Sequence, residues 1–247
     1  MKEKCLIILT VLLLFAFASC RQEKKKFVIG VSQCSDDIWR NKLNDELRMA
    51  TYFNEDIEVD FASAYDSDSI QLRQIDAFLD RGIDLLIVAP TQVATIPPAI
   101  DKVYDSGIPV IVFDRKTSSH KYTAFIGADN HEMGRSMGEF IGRSMKGQGR
   151  VLEIKGLIGS SPSIDRHNGF VDGLSKYPGV TLVSSLQGDW TEESAYKAMR
   201  EWVSGDGKKV LDNSSIDYVF GQNDRMAIGA RRALQEVIRH PSLGEGQ

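Results

Sequence analysis

The chain has 247 residues, of which 42% are apolar and 26% charged, with a formal net charge of −4. These are globular proportions, which exclude a disordered or collagen-like chain, and the absence of a face-long basic run beyond residues 21–26 argues against a nucleic-acid partner. The length fits one large domain or two of ordinary size.

Residues 1–4 carry two lysines, and residues 6–18 are apolar except for Thr10. A run of that length is too short to span a bilayer comfortably and reads as the core of a secretory signal. Ala18-Ser19-Cys20 then offers the small residues that a signal peptidase needs. A cysteine closing such a run resembles a bacterial lipobox, which would make Cys20 the lipidated first residue of the mature chain. Phe17 stands where leucine is usual, so ordinary cleavage and an uncleaved anchor stay open. The expected division is a signal peptide of lipoprotein type at 1–20 and a lysine-rich tether at 21–26. With Cys5 in the leader and Cys20 at the cleavage site, Cys34 is left alone and no disulfide is expected. Cys34 reads as a small buried hydrophobe. The four histidines are scattered without metal-ligand spacing, so neither metal nor cofactor is expected.

From Phe27 onward, short β-branched runs alternate with stretches of helical period. Strands are predicted at 27–32, 57–62, 84–89, 109–113 and 124–127, then at 150–154, 180–185 and 218–220. The helices between them carry single apolar stripes. Those stripes are Leu43, Leu47 and Ala50; Leu72, Ile75 and Leu79; Met133, Met137, Phe140 and Ile141; and Ala195, Met199 and Trp202. Gly82 and Gly107 stand where a left-handed cap ends a helix, and Pro97-Pro98 sit in the first turn of another. This alternation predicts an α/β fold of two lobes, each a parallel sheet flanked by helices. Residues 27–126 form the expected first lobe and 127–247 the second, with the chain crossing between them near residues 125–130.

In such sheets ligands sit beyond the carboxyl ends of the strands. The residues found there are Ser35-Asp36-Asp37-Ile38-Trp39, Asp114-Arg115, a loop reaching Arg166, Asp189-Trp190 and Gln222-Asn223-Asp224. Carboxylates, amides and guanidiniums pair with vicinal hydroxyls, and indoles cover the apolar face of a sugar ring. Structural roles compete at each position. Asp36 or Asp37 caps the following helix, Trp39 and Trp190 suit a core, Asp114 and Arg115 suit a surface ion pair, and Asn223 suits a helix cap.

Three strings carry a resemblance. Ile108-Pro-Val-Ile-Val-Phe-Asp-Arg115, residues 156–170 with Arg166, and Val219-Phe-Gly-Gln-Asn-Asp-Arg-Met-Ala-Ile-Gly-Ala230 resemble the type I periplasmic sugar-binding proteins, of ribose-binding type. The likeness implies the two-lobed periplasmic-binding-protein fold, with a monosaccharide held between the lobes. It implies that Asp114 and Arg115 bind hydroxyls from the first lobe, Arg166 and Asn223 from the second, with Trp190 stacking opposite Trp39. Asp36 and Ile38 replace the family's usual Asn and Phe, which thins one aromatic wall and leaves the sugar open. Residues 30–40 and 188–198 resemble more narrowly the periplasmic sensor halves of Bacteroidetes hybrid two-component regulators. Two binding roles follow: a sensor signalling to its own kinase, or a free lipoprotein serving the permease of an ABC transporter. The membrane is reached through a lipid anchor or a downstream transmembrane helix, and the expected compartment is the periplasm. The family continues after the Asn223 helix with a further ligand-binding strand, whereas this chain reads Pro241-Ser-Leu-Gly-Glu-Gly-Gln247. The second lobe is therefore expected to be incomplete.

Enzyme readings have little support. Gly-x-Ser-x-Gly and a P-loop are both absent, and Gly147-Gln-Gly149 lacks the third glycine of a dinucleotide fingerprint and precedes its strand. Asp114 and Asp189 form the one conceivable glycosidase pair. A DNA-reading segment has no room, because the signal sequence occupies its place upstream of the first strand.

Overall fold

The computed structural model describes residues 25–205 and 216–239. The leader, Cys20 and most of the tether lie outside the described residues. In chain order the first lobe contains β1 (Phe27–Gln33), α1 (Ile38–Thr51), β2 (Ile57–Ser63), α2 (Asp68–Arg81), β3 (Leu85–Val88), α3 (Pro97–Asp105), β4 (Val110–Phe113) and β5 (Ala124–Ile126). The second contains α4 (Asn130–Ser144), β6 (Gln148–Lys155), α5 (Ser161–Leu174), β7 (Gly179–Gln187), α6 (Glu192–Ser204), β8 (Tyr218–Gly221) and α7 (Asp224–Arg239).

Both sheets are parallel. The first runs β2-β1-β3-β4-β5, with Ile29 level with Val59 and with Leu85, and Val112 level with both Val88 and Phe125. The second, among the described residues, runs β7-β6-β8, with a register shift between Val151 and Leu152. Parallel strands need crossover helices, and those helices bury the sheet faces. In the first lobe Ile75 and Phe78 of α2 and Ile100 and Val103 of α3 pack with Leu86, Val88, Val110 and Val112. In the second, Met199 and Trp202 of α6 join Met226 and Ala230 of α7 over Leu152 and Ile154. The punctuation behaves as its chemistry requires: Gly82 ends α2 at φ 71°, and Pro97 and Pro98 open α3.

One predicted stripe is wrong. Met133, Met137 and Phe140 of α4 are exposed, at 47%, 38% and 51%. The face that α4 buries is instead Gly134, Gly138 and Gly142, together with Ile141. A Cβ added at Gly134 would lie 2.0 Å from the carbonyl oxygen of Arg166, and one at Gly138 would lie 2.4 Å from that of Phe170. From α5, Gly169 and Gly173 approach the carbonyls of His131 and Arg135 just as closely. The two helices thus pack backbone against backbone, which leaves the larger side chains on the outer side. The stripe on α1 is also weaker than expected: Leu43 and Leu47 are half-buried, Ala50 is exposed, and Arg40 is the residue that α1 buries.

Candidate functional site

The site is built from strand ends, starting at β1. Asp37 caps α1: its carboxylate accepts from the Trp39 and Arg40 backbone N–H groups at 2.9 and 3.0 Å and from the Ser35 hydroxyl at 2.8 Å. Burial opposes the Asp37 charge, but the Arg40 N–H, the Ser35 hydroxyl, the Arg40 guanidinium and the Trp39 N–H outweigh it and hold the carboxyl below its ordinary value. Of the two neighbouring aspartates, Asp37 is therefore the cap. Asp36 is exposed and has no hydrogen-bond or ion-pair partner among the described residues.

The capped first turn brings two side chains to the end of β4. The Trp39 ring, 51% exposed, lies 5.8 Å from the Phe113 ring at an angle of 33°. Arg40 is buried, and its Nη2 donates to Asp114 Oδ2 at 2.6 Å. Its Nη1 is buried without a hydrogen-bond partner among the described residues. Asp114 itself sits at φ 59°, with its N–H bonded to the Ile126 carbonyl at 2.8 Å. Arg115, also buried, donates to the Thr91 carbonyl at 3.2 Å and lies 4.0 Å from Asp66. Burial raises the Asp66 pKa; Arg115 counters it, while Asp37 and, from the other lobe, Asp189 add to it.

Across the cleft, Arg166 projects from α5. Its Nε donates to Asn130 Oδ1 at 2.9 Å and its Nη1 to the Gln222 carbonyl at 2.6 Å. Its guanidinium carbon lies 5.5 Å from the Trp190 ring centroid. Burial lowers the Arg166 pKa, and the Asp114 carboxylate of the first lobe offsets this in part. Asp189 and Trp190 take left-handed conformations at φ 49° and 65°. The Trp190 ring lies flat against Gly156, where a Cβ would come within 2.1 Å of it, and its Nε1 is buried without a partner among the described residues. Asn223 does two jobs: Oδ1 caps α7 by accepting from Met226 N–H at 2.9 Å, and Nδ2 donates to the Trp190 carbonyl at 3.1 Å. One amide hydrogen and one lone pair remain for another partner.

Below this surface, Glu153 of β6 is wholly buried and accepts from Ser185, Gln222 and His167 at 2.7, 3.0 and 2.7 Å. Gln222 also accepts from the Gly156 N–H at 2.9 Å, so it braces both Trp190's platform and the Arg166 contact. Non-glycine left-handed residues are uncommon and mark over-determined positions. Here Tyr65, Asp66, Asp114, Asp189 and Trp190 all adopt φ between 49° and 65° just past the ends of β2, β4 and β7.

The structure thus brings Asp114 together with Arg40, places Arg115 beside Asp66, and groups Arg166, Trp190 and Asn223. Trp39 stands at the rim and Asp36 apart from the network. Arg40, Phe113 and Asn130 were not anticipated, and Gln222, expected only as a strand-end neighbour of Asn223, proves to be the buried brace of the site. The signal for Arg40 was its place in the first turn after Asp37, one residue from Trp39. A separate concavity of about 170 Å³ on the second lobe is lined by Lys155, Ser163, His167 and Gln187 among others, and by none of the predicted site residues. Among the described residues no group of three or more His, Cys, Asp or Glu is arranged to hold a metal ion. No described helix is long and apolar enough to cross a membrane.

The profile described as periplasmic binding protein domain covers residues 27–241. The chain belongs to the periplasmic binding protein family. Among curated members it is 28% identical over 183 residues to the xylitol-binding protein of Mycolicibacterium smegmatis, an alignment covering 74% of this chain and 51% of that protein. It is 27% identical over 175 residues to the galactofuranose-binding protein of Escherichia coli, covering 69% of this chain and 54% of that one. The chain therefore spans about half the length of these curated relatives. Among solved structures, the fructose-binding periplasmic domain of a hybrid two-component system superposes with a TM-score of 0.78 at 42% identity, over 87% of this chain and 69% of that one. These relatives are sugar- or polyol-binding proteins by name.

Proposed function

We propose that the chain binds a monosaccharide in the cleft between its lobes, as the periplasmic sensor part of a signalling protein. The observation that carries this is a pair of buried donors, Arg40 Nη1 and Trp190 Nε1, that have no partner among the described residues. Ser63 Oγ, Gln74 Oε1 and Arg200 Nη1 are also buried without a hydrogen-bond partner among the described residues, so it is the position of these two donors beside Asp114 and Arg166 that supports a ligand rich in acceptors. Hydroxyls of a sugar meet that need: they accept from Arg40, Arg166 and Trp190 and donate to Asp114. Trp190 offers the ring a flat wall and Trp39, backed by Phe113, offers a second at the rim. Asp36, Arg115 and Asn223 complete the proposed set, with Arg115 acting mainly to hold the Asp66 and Thr91 loops in place.

The sensor role is favoured over transport because the 42% identity is to the fructose-binding domain of a hybrid two-component system, whereas the ribose import binding protein of Escherichia coli is matched at 26%. The second reading is a free substrate-binding lipoprotein of a sugar ABC transporter. In either role the protein is not an enzyme, and it uses no cofactor, metal or nucleic acid. The proposed layout places a leader at 1–20, with Cys20 as a lipid anchor, a tether at 21–26, lobes at 27–126 and 127–247, and the whole in the periplasm at the membrane.

Calorimetric titration with D-fructose, D-ribose and other common monosaccharides tests binding. A deletion strain separates the roles: loss of sugar-induced transcription with uptake of radiolabelled sugar intact supports the sensor, and loss of uptake supports the transporter.

A further inference from the structure

Beside the strand-end residues, the lobes also touch along one edge. In the loop after β3, Gln92 Nε2 donates to the Ile158 carbonyl at 3.0 Å and the Val93 N–H donates to the Gly159 carbonyl at 3.2 Å. After β4, the Lys116 N–H donates to the Ser161 hydroxyl at 2.6 Å, and the Lys116 ammonium pairs with Asp165 at 2.7 Å. Ser118 ties the first-lobe half together, its N–H and hydroxyl both donating to the Val93 carbonyl, at 3.0 and 3.1 Å.

Two features mark this edge as built for contact. Gly159 has φ +78°, which strains any other residue, and a Cβ there would lie 1.7 Å from Gln92 Oε1, so the Gln92 amide that bonds Ile158 would have to move aside. In addition, Lys116 directly follows Asp114-Arg115, and Asp165 directly precedes Arg166. The ion pair therefore clasps the same two segments that present charged groups to the cleft, without itself being among them.

We propose that the Lys116–Asp165 ion pair and the Gln92–Ile158 and Val93–Gly159 hydrogen bonds form an interlobe latch, a positioning device that sets the population of the closed form and so tunes sugar affinity without touching sugar. The role rests on the cleft reading above, and it follows from linkage. A ligand that binds the closed form has an apparent dissociation constant equal to the intrinsic one divided by the closed fraction. The ion pair is partly exposed, with side chains 48% and 23% accessible, so neutralising it shifts the equilibrium by about fivefold at most. Reversing one charge replaces attraction by repulsion and shifts it further.

The test measures interlobe distance directly. Spin labels at Ser106→Cys and Ser175→Cys, both exposed positions on opposite lobes, report the distance distribution by pulsed electron resonance, with Cys5 and Cys20 replaced by serine; buried Cys34 stays unlabelled. Without sugar, Lys116→Asp and Asp165→Lys should each move population to longer distances, and Gly159→Ala at least as far. The double variant Lys116→Asp/Asp165→Lys should recover the parent distribution. With D-fructose as probe, the single reversals should weaken binding by about threefold to tenfold and the double should restore it. Single reversals that leave the distances unchanged, or a double variant as open as the singles, would overturn the latch. If D-fructose fails to bind the parent, the cleft reading suffers, while the sugar-free distances still decide the latch.

Discussion

Arg40 and Asp114 join the first helix of the first lobe to the end of its fourth strand, with Nη2 and Oδ2 2.6 Å apart and the two side chains 5% and 25% accessible. The pair explains how an arginine comes to be the buried residue of an otherwise lightly packed helix. It also makes Asp114 answerable to two demands, holding Arg40 and meeting a ligand hydroxyl.

Substitution should separate those demands. Asn at 114 keeps an oxygen for Arg40 and tolerates the left-handed backbone. Asp114→Asn should therefore stay folded, losing about 1–2 kcal/mol, while sugar affinity falls about a hundredfold. Asp114→Ala strands the buried guanidinium and strains φ, and its melting temperature should fall further. Thermal melts beside calorimetry resolve the two effects.

Trp190 should show the same separation of stability from binding. Its Nε1 has no hydrogen-bond partner among the described residues, so Trp190→Phe should change stability by less than about 1 kcal/mol yet weaken sugar binding about tenfold. Gly156→Ala pushes a methyl into the indole and should cost about 1–3 kcal/mol while weakening binding as well. Denaturant titration of both variants, with and without sugar, checks this.

The glycine-lined crossing of α4 and α5 supports Arg166 directly. Gly134→Ala sets a methyl against the Arg166 carbonyl, and the helices must separate to admit it. A loss of about 3 kcal/mol is expected. Gly138→Ala, one turn away, should cost as much stability but less affinity, because it meets Phe170 rather than Arg166.

Two aspartates should leave opposite marks on the pH dependence of stability. Asp37 is held below its unfolded value, so its contribution is complete above the ordinary carboxylate range and disappears as pH falls through the depressed value. Asp37→Ala should cost about 1 kcal/mol at neutral pH and progressively less in acid. Asp66 is raised, so its charge opposes folding above that raised value, and the penalty lifts as pH falls through it. Asp66→Asn should melt no lower than the parent at neutral pH, with any gain shrinking in acid. Melting curves over a pH series measure both.

Much of the architecture was legible because parallel strands buried on both faces announce themselves as β-branched runs, as in Leu85–Val88 and Val110–Phe113. Strand ends then pointed to Asp114, Arg166, Trp190 and Asn223. The failures have separate causes. Hydrophobic periodicity put Met133, Met137 and Phe140 of α4 inward, but backbone-to-backbone packing selects glycine, which such periodicity cannot see. Arg40 was passed over because its partner lies 74 residues away, and an arginine in a helix reads as a surface residue. The left-handed turns at Asp114, Asp189 and Trp190 carry no glycine to betray them. Of the two readings of Asn223, the structure shows the helix cap, and its amide also donates to the Trp190 carbonyl.

The central claim is that a monosaccharide occupies the space between Arg40–Asp114 and Arg166–Trp190. Calorimetric titration of the parent and of Asp114→Asn with a panel of monosaccharides tests it most directly. One sugar should bind the parent at a ratio of about one to one, with a dissociation constant of about 10 µM or tighter, and bind the variant about a hundredfold more weakly. A panel in which no sugar binds the parent, or a variant that binds as tightly as the parent, would contradict the account.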